Sequence, residues 1–186
     1  MTREAGLWNV ANVLTIVRVI LVPVFVVCLL AGGTAGRLAA LVTFCVASLT
    51  DLLDGRLARS RGLVTDFGKI ADPVADKALT GAALIGLSAL GELPWWVTGV
   101  IMFRELGVTA LRFWVIRWGV IPASRGGKYK TFLQTVAIGL YLLPLPDWLG
   151  AVAAVVMGAA LVLTVATGVD YVARALALRR AARTPS

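Results

Sequence analysis

The sequence predicts an all-α protein that is integral to the membrane, with about six transmembrane helices and a short interfacial helix at its N-terminus. Of its 186 residues, 59% are hydrophobic and only 15% are charged, and the mean hydropathy is +0.88. Apolar runs of about 20 residues, long enough to cross a bilayer, recur along nearly the whole chain. Short segments of turn-forming residues separate these runs. We therefore expect a single membrane domain over residues 1–186.

The apolar runs give the expected bounds of the helices. These are residues 13–30, 38–59, 68–90, 95–116, 130–145 and 149–172. Residues 1–10 carry Leu7, Trp8 and Val10 on one side, which is typical of a short helix lying on the membrane surface. A cleaved signal peptide is the competing interpretation of this end. It is disfavoured because losing the first span would leave an odd number of crossings and break the charge asymmetry of the loops.

Basic residues set the expected orientation, since Lys and Arg are retained on the cytoplasmic side of short loops. Arg37 is the one basic residue in the loops after the first span and before the fourth and sixth. The opposite side holds Arg56, Arg59, Arg61, Lys69, Arg117, Arg125, Lys128, Lys130, Arg174, Arg179, Arg180 and Arg183. Both termini are therefore predicted to be cytoplasmic. The net charge of +8 reflects topology and attraction to anionic lipids, and a nucleic-acid partner is not expected.

The chain contains no histidine, and its two cysteines, Cys28 and Cys45, lie inside apolar runs. We expect these cysteines to be small apolar residues, neither a disulfide nor a metal pair. Without histidine, the usual general base near neutral pH is missing. Any proton abstraction must fall to a carboxylate, a lysine or a tyrosine.

Five of the ten carboxylates lie between Asp51 and Asp76. Asp51 and Asp54 are three residues apart and Asp72 and Asp76 are four apart, so each pair shares one face of a helix. If the second and third helices are antiparallel neighbours, the two pairs meet near the cytoplasmic edge. Carboxylate oxygens suit Mg²⁺ or Mn²⁺, and two ions about 3.5–4 Å apart would clamp a pyrophosphate.

The residues between these acids suit a phosphorylated ligand. Gly55 and Ala58 remove bulk beside the acids, and Gly68 does likewise on the facing helix. Arg59 is either a forked donor for phosphate or a positive-inside anchor, and both interpretations stay open. Lys77 either pairs with phosphate or offsets the acid cluster.

The spacing of Asp51, Asp54, Gly55, Ala58, Arg59, Gly68, Asp72 and Asp76 resembles the signature of the CDP-alcohol phosphotransferase family. The resemblance implies a six-helix, homodimeric membrane enzyme that moves a phosphatidyl or similar group from a CDP-linked donor to an alcohol and releases CMP. It also implies a two-metal site made by Asp51, Asp54, Asp72 and Asp76. Asp76 would also deprotonate the acceptor hydroxyl, and Gly55, Ala58 and Gly68 would border the cytidine nucleotide.

Flanking residues narrow the resemblance to members that join CDP-diacylglycerol to glycerol 3-phosphate. They are residues 72–77, Arg104, Glu105, Arg112, residues 127–131, and Asn12, Thr15 and Arg18. A phosphorylated acceptor also fits the charges, because Arg104 and Arg112 are eight residues apart on one helix face, beside Arg125, Lys128 and Lys130 in the adjoining loop. Arg104 lies in an apolar run and needs a partner or a water-filled cavity. Glu105 lies elsewhere on the helix and is expected to be a weaker ligand.

Several alternatives stay open. Asn12, Thr15 and Arg18 form a polar stripe that contacts either the donor nucleotide or neighbouring helices. Within the family, the acceptor could instead be inositol phosphate or phosphatidylglycerol. From another class, a divalent-cation transporter would also place carboxylates in the membrane. Transport is disfavoured because the acids cluster at one membrane edge and the sequence contains no internal repeat.

Overall fold

The computed structural model describes the backbone of residues 10–61, 66–115, 125–144 and 146–181, and the side chains of residues 13–51, 74–115, 126–144, 146 and 149–180. Every regular element within those ranges is an α-helix. The helices are α1 Val10–Ala31, α2 Gly33–Arg61, α3 Asp66–Ala89, α4 Trp95–Val115, α5 Arg125–Leu142 and α6 Asp147–Ala181. The all-α prediction is confirmed. The predicted interfacial helix at residues 1–10 lies almost wholly outside the described residues.

Among the described residues, three helical segments are long and apolar enough to cross a membrane, judged by length and composition: Val13–Ala31, Gly33–Asp51 and Leu149–Arg180. The other helices carry charged residues within their length. Three ends differ from the sequence prediction by five residues or more. α2 begins at Gly33 rather than 38, α5 begins at Arg125 rather than 130, and α6 continues to Ala181 rather than 172. Alanine, leucine and arginine at the end of α6 are strong helix formers, so the helix continues past its apolar run.

Glycines with positive φ lie at two of the turns between the helices. Gly32 lies between α1 and α2 with φ of 69°, Gly33 begins α2 with φ of 64°, and Gly91 follows α3 with φ of 76°. These left-handed conformations are open to glycine because it has no Cβ. The N–H groups of Glu92 and Leu93 both donate to the Leu87 carbonyl, at 3.0 and 3.3 Å, and so close the end of α3.

The helices pack around a core built from all six of them. α1 packs on α2 and α3, α4 packs on α6 and α3, and α5 packs on α6 and α2. Phe25 and Phe44 meet with ring centroids 6.0 Å apart. Large apolar side chains such as Val27, Phe103 and Val155 are 68%, 81% and 71% exposed, so much of the outer surface is apolar. Such a surface is that of a membrane protein, because lipid tails are its favourable surroundings.

A polar contact joins three helix ends at the side that the charge pattern assigns to the outside. Arg37 of α2 forms an ion pair with Glu92 in the α3–α4 turn. Its other guanidinium nitrogen donates to the backbone carbonyl of Tyr141 in α5 at 3.0 Å. Arg37 therefore ties α2, α5 and the α3–α4 turn together.

Candidate active site

Arg18, a fully buried arginine of α1, joins the two described acids of the signature. Its Nη1 lies 2.8 Å from Oδ1 of Asp51 on α2, and the Asp51 side chain is 40% exposed. Asp76 of α3 lies within electrostatic reach of both Arg18 and Asp51. Because α1 packs on both α2 and α3, it carries one cation to the place where two acids of different helices converge.

The other two signature acids are placed through their backbones alone. Asp54 lies three residues after Asp51 on α2, and Asp72 lies four residues before Asp76 on α3. Helical geometry brings each of them to the same face as its partner. Their side chains fall outside the described set, as do those of Asn12, Gly55, Ala58, Arg59, Gly68 and Arg125. Among the side chains that are described, no three acids or thiols lie close enough to share an ion, and the four-acid cage stays a prediction.

A pocket opens beside Asp76, between α3, α4 and α5. Its free volume is about 470 Å³, counting the open space at its mouth. The lining residues are Asp76, Lys77, Thr80, Met102, Glu105, Leu106, Lys130, Thr131, Gln134, Thr135 and Ile138. Two lysines, two acids, three threonines and an amide therefore face one concavity, an arrangement suited to a small, polar, anionic molecule.

Glu105 is the centre of the polar contacts around this pocket. Its Oε1 forms ion pairs with Lys130 of α5 and, at 3.2 Å, with Nη1 of Arg104. Its backbone carbonyl accepts a hydrogen bond of 2.7 Å from Thr109, whose hydroxyl oxygen in turn accepts one of 2.5 Å from Lys77. The expectation that Glu105 lies away from the site was wrong.

The rotation of α4 about its own axis explains why Glu105 lines the pocket. Thr98 contacts Ser88 of α3, Met102 lies against Gly81 of α3, and Thr109 contacts Lys77 of α3. The spacings from Thr98 to Met102, to Glu105 and to Thr109 are four, three and four residues in turn. Glu105 therefore lies on the face of α4 that packs on α3.

Arg104 precedes Glu105 by one residue, which is a rotation of about 100° around the helix axis, and its side chain faces α6. Its Nη2 donates to the Thr167 hydroxyl at 2.8 Å, and its Cγ lies 3.0 Å from the place where a Cβ on Gly168 would stand. The partners of this partly buried arginine are thus supplied by α6 and by Glu105. Of the expected acceptor-binding cations, the pocket lining contains Lys77 and Lys130. Arg112 and Lys128 are exposed, and the Arg125 side chain lies outside the described set.

Sequence reasoning missed the neutral polar residues of the pocket. Thr80, Thr131, Gln134 and Thr135 all line it. Lys130 and Gln134, four residues apart on α5, are 3% and 4% exposed. The available signal was an amide placed one helical turn after a lysine inside an otherwise apolar run. Thr15, in the predicted α1 stripe with Arg18, is also buried.

Comparison with known proteins gives consistent results. Residues 8–166 match the family described as CDP-alcohol phosphatidyltransferase. A Mycobacterium tuberculosis (strain H37Rv) protein named "Probable phosphatidylglycerophosphate synthase" is 59% identical over 176 residues, which cover 93% of this chain and 84% of that protein.

Two more distant relatives share another name, "CDP-diacylglycerol--glycerol-3-phosphate 3-phosphatidyltransferase". The Bacillus subtilis protein is 40% identical over 150 residues, covering 74% of this chain and 78% of its own length. The Shigella flexneri protein is 37% identical over 176 residues, covering 91% of this chain and 96% of its own length.

Proposed function

The chain belongs to the CDP-alcohol phosphatidyltransferase family, and on that premise we propose that it transfers the phosphatidyl group of CDP-diacylglycerol to glycerol 3-phosphate. The products are phosphatidylglycerophosphate and CMP. The names of the relatives support both substrates. The observation that carries the proposal is the position of Asp76, which lies within electrostatic reach of Asp51 and also lines a pocket with Lys77 and Lys130. A carboxylate that can act as a base and two lysines that can bind an anionic acceptor therefore line the same pocket.

Divalent metal, Mg²⁺ or Mn²⁺ and two ions by the family resemblance, is part of this proposal. The described residues fit it, since Asp51 and Asp76 offer only oxygen donors and Arg18 offsets one of their two negative charges. Asp54 and Asp72 complete the proposed ligand set from the adjoining turns of α2 and α3. Bound there, the cations would neutralise the donor diphosphate and the charge that develops at the attacked phosphorus.

The proposed reaction needs one proton transfer and one displacement. The acceptor hydroxyl gives its proton to the Asp76 carboxylate, and the hydroxyl oxygen bonds to the phosphorus that carries diacylglycerol. The bond from that phosphorus to the CMP oxygen breaks, and CMP leaves. Lys77 and Lys130 hold the acceptor phosphate in the pocket. A carboxylate base is required because the chain contains no histidine.

The donor is proposed to lie on the other side of Asp76, along α1, α2 and the start of α3. Gly55, Ala58 and Gly68 leave room for the cytidine nucleotide, and Arg59 contacts its phosphates. Asn12, Thr15 and Arg18 border the same space from α1. Within this group, Arg18 also orients Asp51, the acid to which it is paired.

All six helices are proposed to cross the membrane as a single domain over residues 1–186. Residues 1–10 would lie on the surface, both termini and the site would be cytoplasmic, and the enzyme would form a homodimer. Thirteen residues separate Asp76 from Ala89 at the end of α3, about 20 Å at 1.5 Å per residue. If α3 ends at the outer edge of a hydrocarbon core about 30 Å thick, Asp76 lies within about 10 Å of the cytoplasmic edge.

The test is release of CMP by the purified full-length protein in detergent with CDP-diacylglycerol and Mg²⁺. Glycerol 3-phosphate, inositol 1-phosphate and phosphatidylglycerol are added singly. We expect CMP with glycerol 3-phosphate, a loss of about 10³-fold or more in Asp76→Asn, and wild-type rates in the matched variant Asp170→Asn. Asp170 is exposed and forms its ion pair with Arg174 on α6.

CMP release with another acceptor would assign the enzyme to that acceptor. The absence of CMP release with all three, from folded protein that binds Mg²⁺, would contradict the proposal and favour ion transport.

A further inference from the structure

Gln134 is a pocket residue whose side-chain oxygen has no hydrogen-bond partner among the described residues. Its side chain is 4% exposed, and no donor among the described residues reaches its Oε1. Buried polar atoms of this kind nearly always have a partner, because leaving one unpaired is unfavourable. Gln134 lines the same pocket as Asp76 and Lys130. A molecule that binds in this pocket can supply that partner.

The chemistry of the lining narrows what that molecule presents to Gln134. Lys77 and Lys130 supply cationic donors for a phosphate, and Asp76 supplies an acceptor for the proton of the reacting hydroxyl. A carboxamide has one acceptor oxygen and two N–H donors, and an alcohol hydroxyl pairs with either kind of group. Gln134 thus matches a neutral hydroxyl that neither reacts nor carries phosphate.

The spacing along α5 agrees with this match. Gln134 lies four residues after Lys130, about 6 Å along the helix and on the same face. That rise is of the order of the length of glycerol 3-phosphate from its phosphorus to its terminal hydroxyl oxygen, so Gln134 reaches the carbon chain of an acceptor whose phosphate contacts Lys130. An acceptor whose phosphate contacts Lys130, and whose terminal hydroxyl faces Asp76, has its middle carbon near Gln134.

We propose that the carboxamide of Gln134 hydrogen-bonds the middle, non-reacting hydroxyl of the acceptor and makes the enzyme selective for a polyol phosphate over a simple hydroxyalkyl phosphate. This rests on the proposed function, and it adds a specificity-determining residue to the acceptor pocket. A site built to pair with a hydroxyl rejects the analogue that lacks it, because the buried amide is then left unpaired.

The test compares two acceptors, glycerol 3-phosphate and 3-hydroxypropyl phosphate, which keeps the reacting hydroxyl and the phosphate but lacks the middle hydroxyl. The ratio of their kcat/KM values is measured by CMP release for the wild type, Gln134→Met and Ile138→Val. Methionine keeps the length of glutamine without its hydrogen-bonding groups. Ile138 lies one turn further along α5, lines the same pocket and is 1% exposed, so Ile138→Val changes packing alone.

We expect the wild type to prefer glycerol 3-phosphate by roughly 10- to 100-fold, the range of one buried hydrogen bond. In Gln134→Met the ratio should fall toward one, while the KM for CDP-diacylglycerol stays within about twofold. Ile138→Val should lower both values of kcat/KM by the same factor and keep the ratio. If Gln134→Met does not fold, Gln134→Asn serves instead, because it retracts the carboxamide by one carbon and should also lower the ratio.

A wild-type ratio near one, or a wild-type ratio retained in the Gln134 variant, would overturn the assignment and leave the proposed function standing. CMP release with neither acceptor from the wild type would overturn the proposed function, and the assignment with it.

Discussion

Arg18 holds together the part of the site that the structure describes. A fully buried arginine in an apolar helix needs an anionic partner, and Asp51 supplies it at 2.8 Å. The same guanidinium lies within electrostatic reach of Asp76. Its charge therefore lets two acids approach each other, and it fixes the side chain of one of them.

Replacing Arg18 tests this dependence. We expect Arg18→Gln to lower the free energy of unfolding by about 1–3 kcal/mol, below the usual range for a fully buried pair because Asp51 is 40% exposed. Arg174→Gln is the matched control, since its ion pair with Asp170 is exposed, and it should change stability by about 0.5 kcal/mol or less. Thermal unfolding in detergent measures both. Equal changes in the free energy of unfolding would mean that the buried ion pair stabilises the protein no more than the exposed one does.

The two lysines at the start of α5 should differ in function. Lys130 is 3% exposed and lines the pocket, whereas Lys128 is exposed. We expect Lys130→Met to raise the KM for glycerol 3-phosphate about tenfold or more, the usual effect of losing a charged hydrogen bond, with little change in the KM for CDP-diacylglycerol. Lys128→Met should change neither KM by more than about twofold. Steady-state CMP release measures these constants, and a larger effect from Lys128 would place the acceptor outside the pocket.

Close packing of helices positions these side chains. α1 and α3 approach closely where Leu29 lies against Gly86, since a Cβ on Gly86 would stand 2.5 Å from Leu29 Cδ2. Small residues allow such approaches within membranes, where van der Waals packing drives helix association. Because α1 carries Arg18 and α3 carries Asp76, this contact helps to set the distance between the cation and the acid.

A methyl group on Gly86 should separate the two helices. We expect Gly86→Ala to lower the free energy of unfolding by about 1–3 kcal/mol through overpacking, because the side chain of Leu29, 1% exposed, would have to shift within the packed core. Gly158→Ala on α6 is the matched control, since nothing lies within 4 Å of its added Cβ. It should be neutral or slightly stabilising. Thermal unfolding of the two variants measures both effects. An unchanged stability in Gly86→Ala would contradict the close contact between Leu29 and Gly86.

At the scale of the whole molecule, the polar contacts occupy two levels. The candidate site joins α1 to α5 at one level, and Arg37, Glu92 and Tyr141 join three helix ends at the other. Apolar side chains fill the core between these levels. This separation suits an enzyme that takes polar substrates from one side of the membrane.

Labelling of introduced cysteines tests the proposed orientation. In a background with Cys28→Ser and Cys45→Ser, Pro146→Cys precedes α6 and Lys128→Cys lies in the first turn of α5, and both positions are exposed. We expect a membrane-impermeant thiol reagent to label position 146 in intact cells and position 128 only after permeabilisation. Reversed labelling would invert the topology.

Much of this architecture follows from the sequence, because apolar length and turn residues are local properties. They predict the six helices and the short turns between them. What they do not predict is how each helix is rotated. Glu105 lies in the pocket and Arg104 faces α6, because α4 packs on both α3 and α6. Gln134 was missed because an isolated amide carries little signal until its neighbours are known.

The central claim is that this protein attaches glycerol 3-phosphate to a lipid. The most direct measurement is the Mg²⁺-dependent transfer of radiolabelled glycerol 3-phosphate into the organic-solvent phase by purified protein with CDP-diacylglycerol. We expect one mole of labelled lipid for each mole of CMP released, and neither product from Asp76→Asn. CMP release without labelled lipid would mean that the donor is hydrolysed or passed to another acceptor, and would contradict the account.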